Sequence, residues 1–135
     1  MTAISTIPGA RIIKLLYVGI GGFLGAITRY LVGGWIMGSG RFVFPWGTFV
    51  INVTGSFLLG LFFAVSMERL GVAGFWRPFF AIGFLGAYTT FSTFSLETMN
   101  LIESGSFLLA TANIVASVLL SLLGVYIGIM IGRNI

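Results

Sequence analysis

From Ser106 to Gly132 no side chain carries a charge, and three stretches nearly as apolar precede it. That repetition limits the possible folds more than any other feature of the chain. A bilayer core about 30 Å thick takes about 20 apolar residues per helix, which places spans at roughly 12–37, 46–67, 77–101 and 106–132. Only 7% of the residues are charged, against about 25% in an ordinary soluble domain, so no soluble surface can be built. The expected fold class is an all-α membrane protein, one multi-pass domain over residues 1–135 with four transmembrane helices.

The separators fit that division. Gly38-Ser39-Gly40-Arg41 and Pro45 mark the first turn, Glu68-Arg69 ends the second span, and Glu103-Ser104-Gly105 precedes the fourth. Pro78 suits the first turn of the third helix. Short loops make consecutive helices antiparallel neighbours. Met1 to Ala10, with Pro8-Gly9, reads as a poorly ordered tail and not as a cleavable signal, because the apolar run behind it is too long. Gly21 and Gly25, and Gly124, Gly128 and Gly132, have the small-xxx-small spacing that lets helix backbones approach closely.

Several chemistries lack their tools. The chain has no Cys, His or Asp, and its three acids are Glu68, Glu97 and Glu103. The usual general acids, bases and activated nucleophiles are nearly absent, so the chain is not expected to be an enzyme. The seven basic residues are scattered, which gives nucleic acid no patch to bind. With the N-terminus inside, Arg11, Lys14, Arg69, Arg77 and Arg133 face Arg41 and Arg29 across the membrane, a positive-inside bias for that orientation.

The polar residues that remain fall into patterns. Thr48, Asn52 and Ser56 recur every fourth residue in the second span, and Asn113, Ser117 and Ser121 do so in the fourth, suggesting one shared lining. Hydrogen bonding between helices explains the serines equally well. The third span carries Gly83 and Gly86 ahead of Thr89, Thr90, Ser92 and Thr93, a poor composition for an unbroken helix. A break near Gly86 to Thr90 would free carbonyls able to hold a cation such as Na⁺, although hydroxyls bonded back onto an intact helix fit the spacing as well. Phe91 and Phe94 share a face, and the positive edge of an aromatic ring can stabilise an anion without a full charge.

The run Gly83-Phe84-Leu85-Gly86-Ala87-Tyr88-Thr89-Thr90-Phe91-Ser92-Thr93-Phe94-Ser95-Leu96-Glu97-Thr98 closely resembles the signature of the Fluc (CrcB) family of fluoride channels. The resemblance extends to Gly21-Gly22-Phe23-Leu24-Gly25-Ala26-Ile27-Thr28-Arg29 and to Trp46-Gly47-Thr48-Phe49-Val50-Ile51-Asn52. It implies a passive, fluoride-selective channel of the bacterial inner membrane that lets cytoplasmic fluoride out and lowers its toxicity. It further implies an antiparallel dimer, with a second copy or a close paralogue, and a structural Na⁺ at the dimer centre. By position, the Gly86 and Thr89 carbonyls would hold the Na⁺. Asn52, Phe91, Phe94, Ser92, Thr93, Ser95, Ser117 and Ser121 would line the fluoride pore, Arg29 would draw anions to its mouth, and Glu97 and Asn113 would be polar neighbours. Many relatives have Gly where this chain has Ala87, and some have an aromatic residue or His at the position of Asn113.

Two other readings compete. A small proton-coupled exporter of four helices needs a carboxylate deep in its first span, where this chain has only Arg29. A membrane subunit that carries nothing would satisfy its polar stripes by helix contacts alone.

Overall fold

A computed structural model describes residues 8–69 and 74–135. Every regular element among them is helical. Helix α1 spans Pro8–Met37, and α2 spans Trp46–Phe63 and continues in wide π-helical turns over Ala64–Arg69. Helix α3 opens with π-helical turns over Arg77–Leu85 and closes with the α-helical turn Gly86–Tyr88; α4 spans Phe91–Glu103 and α5 spans Phe107–Asn134. Four segments are long and apolar enough to cross a bilayer: Gly9–Met37, Trp46–Ser66, Arg77–Glu103 and Phe107–Asn134. The third is α3 and α4 placed end to end, so the four-span expectation holds and the third span is broken.

The start of α1 corrects one expectation. Gly9 and Ala10 are helical rather than part of a loose tail, because Pro8 holds the fixed φ that suits a first helical position. The remainder of the expected tail lies outside the described residues. Between α4 and α5, Gly105 takes φ +78. Its amide reaches the Ile102 carbonyl at 3.0 Å and that of Ser106 reaches Leu101 at 2.8 Å, which ties off the last carbonyls of α4 within a very short turn.

Two glycine seams position the bundle. α1 lies along α3, where a methyl on Gly21 would run into the Phe79 carbonyl and one on Gly25 into that of Phe84. α2 lies along α5, with Gly60 against the Val125 backbone and Gly128 against that of Phe57. Close approach multiplies weak dispersion contacts, which inside a bilayer must stand in for the hydrophobic drive. The spacing read from the sequence is therefore the spacing used. Between the seams sits a small core of Ile51, Leu85 and Tyr88, flanked by Phe80 and Phe84.

Most large apolar side chains point outward, as lipid-facing residues do, and aromatic clusters mark both ends. Phe44, Trp46 and Phe49 pack together at one end, and Tyr17, Phe75, Trp76 and Phe79 at the other. Such rings suit the bilayer interface. The antiparallel succession puts Arg11, Lys14, Arg77 and Arg133 at the Tyr17 end, with Arg41 at the opposite one.

Candidate functional site

The site begins where the third span stops being helical. Thr89 has φ −78 and ψ 156, and Thr90 has φ −150 and ψ 116, so two β-branched residues sit in extended backbone. Asn52 of α2 holds them there. Its amide nitrogen donates to the Thr90 carbonyl at 3.0 Å and its amide oxygen accepts from the Thr90 amide at 2.8 Å. One side chain thus replaces the two partners that Thr90 would have had in a helix. Thr90 then caps α4, its hydroxyl oxygen accepting from the Thr93 amide at 3.2 Å.

The glycines singled out in the sequence do other work. Gly86 is helical at φ −63. Gly83 is buried against the backbone of Val18 and Gly22 in α1. The break comes from two threonines and a remote asparagine.

Two carbonyls lose their helical donors as a result. The donor for Gly86 would be the Thr90 amide, which Asn52 has taken. The donor for Thr89 would be the Thr93 amide, which the Thr90 hydroxyl has taken. Both residues border the same groove. Among the described residues no three acidic side chains gather, so a cation here would rest on carbonyl oxygens. Hard cations accept such ligands, and the donor set fits Na⁺.

The groove itself is an open cleft of about 320 Å³ between α2, the break and α5. Asn52, Ser56, Thr89, Phe91, Phe94, Ser117 and Ser121 border it, and no lining side chain is ionisable. The Phe91 and Phe94 rings lie 5.6 Å apart with planes tilted by 42°, and Phe91 is 78% exposed. Behind the break is a second cavity of about 270 Å³, bordered by Arg29, Thr48, Thr90, Thr93 and Glu97. There the Thr48 hydroxyl donates to one oxygen of Glu97 at 2.9 Å, and the other carboxylate oxygen is buried with no hydrogen-bond partner.

These two spaces divide the residues expected to form one lining. Asn52, Phe91, Phe94, Ser117 and Ser121 do meet at the groove, with Gly86 and Thr89 beside them. Thr48, Thr93, Arg29 and Glu97 meet behind it instead. The two polar stripes therefore do not make a single wall, because α2 turns Thr48 away toward α4 while Asn52 turns to the break. Ser95 donates to the Phe91 carbonyl at 2.9 Å, and Ser92 is exposed with its hydroxyl 3.3 Å from that of Thr90. Asn113 is buried between α4 and α5, bonded to Thr98 and Ser117.

Thr98 was not picked out from the sequence, and Thr90 only as one end of the expected break. A doublet of β-branched residues after a glycine-containing turn was the available signal for Thr90. For Thr98 there was only its place four residues beyond Phe94. Ser56 belonged to a recognised stripe, but nothing in the spacing separated it from a packing serine.

Comparison with known proteins gives the chain its relatives. The family model described as CrcB-like protein, Camphor Resistance (CrcB), matches residues 16–129. A protein of Magnetococcus marinus named fluoride-specific ion channel FluC is 45% identical over 122 residues, covering 90% of this chain and 99% of its own length. Proteins of the same name from Rhizobium meliloti and Saccharophagus degradans are 47% and 43% identical. They cover 88% and 97% of this chain, and 95% and 98% of their own lengths.

Proposed function

This chain belongs to the CrcB-like family, and on that premise we propose that it is a passive fluoride-selective channel. It releases fluoride from the cytoplasm and so lowers its toxicity. The protein is a multi-pass membrane protein and not an enzyme. The observation that carries the proposal is the groove: ring edges, hydroxyls and a helix break converge there, and no ionisable side chain lines it.

That composition suits a small, strongly hydrated anion. Hydroxyl protons and the edges of Phe91 and Phe94 replace part of the water shell with fixed partial charges. None of them is a full positive charge, so the ion is not trapped. Lacking an ionisable group, the groove offers no obvious proton-coupling device, and flow follows the gradient. Arg29 raises the local anion concentration from behind the break, as a point charge near a pathway does.

The pathway is completed by a second copy, or a close paralogue, in antiparallel orientation. Each chain leaves the groove open on one side and Phe91 exposed. Each also brings only the Gly86 and Thr89 carbonyls toward a cation, and two chains double that set. Bound there, Na⁺ would neutralise carbonyl dipoles and tie the two breaks together. The bias of basic residues toward one end favours an N-in orientation for this chain, so a paralogue of opposite orientation is a natural partner.

The test is efflux from liposomes holding the purified full chain, read with a fluoride electrode and with chloride as control anion. Rapid fluoride loss with no chloride movement is expected. Silence from folded, incorporated protein removes the proposal.

A further inference from the structure

The hydroxyls around the groove are not equivalent, because most have already committed their single proton. Of those that border it, Thr89 donates to the Leu85 carbonyl, back onto its own helix, and Thr90 donates to the Thr93 hydroxyl. Ser117 is committed in a less obvious way. The Phe94 carbonyl can only accept, so Thr98 donates to it at 2.7 Å. The Thr98 oxygen then accepts from the amide nitrogen of Asn113 at 2.9 Å. This orients the Asn113 side chain, whose oxygen is left facing Ser117, and Ser117 donates to it at 3.2 Å. Asn113 is 1% exposed, and Thr98 and Ser117 are buried. An unpaired amide oxygen at such depth is costly, so the direction of the chain is fixed.

With its proton spent, Ser117 has only oxygen lone pairs left to offer, which repel an anion. Ser56 and Ser121 differ. Both border the groove and are half-buried, and among the described residues neither makes a hydrogen bond within the chain. We infer that Ser56 and Ser121 are the hydroxyl donors to the anion in this groove. Asn113 is the positioning residue that withholds Ser117 from that task. Ser56 is thereby assigned to the pathway, and Asn113 sets which donors the anion meets without touching it. The inference rests on the channel reading above.

The experiment compares fluoride efflux from liposomes for the full chain and its variants, each checked for folding by elution and thermal melting. Because a hydrogen bond to a charge is strong, Ser121→Ala slows efflux by about tenfold and Ser56→Ala by about threefold or more. Ser117→Ala gives the smaller loss, at least about threefold less than Ser121→Ala. Asn113→Leu releases the Ser117 proton, and in that background Ser117→Ala costs as much as Ser121→Ala. Thr98→Val offers a second route if Asn113→Leu does not fold, since the freed amide can turn and donate to Ser117; Thr98→Ser keeps the original ranking. Equal losses at positions 117 and 121 in the native background overturn the inference, as does a ranking that both Asn113→Leu and Thr98→Val leave unmoved. A native chain that conducts no fluoride overturns the channel reading instead, and the inference falls with it.

Discussion

The groove and the cavity behind it share a wall, Thr90, yet they are built from opposite materials. The groove holds rings, hydroxyls and freed carbonyls, whereas the cavity holds Arg29 and Glu97. Both spaces are polar at membrane depth, and only one lacks ionisable groups. The difference separates attraction from passage. Full charges placed in the path would either bind an anion too tightly or repel it, but behind a wall they can shape the field without becoming ligands. Thr48 supports this division by holding one Glu97 oxygen in the cavity.

The largest effect should come from removing the wall. Asn52→Leu strips both partners from the Thr90 backbone, and at about 1–3 kcal/mol for each buried group left unpaired it should cost about 2–6 kcal/mol. Melting of the purified chain should drop accordingly and fluoride efflux should vanish. A variant that melts normally and conducts would mean that the break needs no clamp, and the two spaces would lose their common origin.

A smaller effect, confined to the groove, is expected from Phe94→Ile. The edge of one ring is worth about 0.5–1.5 kcal/mol, so efflux should slow by up to about tenfold with little change in melting. Unchanged flux would move the anion path out of the groove. The mildest effect belongs to the cavity. Thr48→Val removes the only hydrogen bond to the Glu97 carboxylate among the described residues, at a cost of about 1 kcal/mol in stability, with efflux staying within about threefold. A collapse of efflux comparable to that of Phe94→Ile would show that the cavity is itself part of the path.

Much of this was legible in the letters. The length and spacing of the apolar runs gave four spans, since bilayer thickness fixes how many residues a helix needs. The glycine spacing gave the seams at Gly21, Gly25 and Gly128. The composition that marks the third span as interrupted mixes glycines with threonines, and only the threonines stand at the break. Gly83 and Gly86 are both helical, and Gly83 is there because α1 leaves no room for a side chain. What stops the helix is Thr90 bound to Asn52, a residue 38 positions earlier, and no local propensity can report a partner that distant. The same holds for Asn113. Its letter promised polarity, but its orientation depends on Thr98 and the Phe94 carbonyl on another helix.

The sequence by itself determined that this chain lives in a bilayer, how many times it crosses, which faces are small enough to pack and which residues are polar at depth. Those follow from composition and period, which are properties of single segments. Only the tertiary structure decided which polar atoms are already satisfied and which remain to meet an ion. A hydroxyl has one proton and a carbonyl only accepts, so where each is spent depends on what the neighbouring helix brings within about 3 Å.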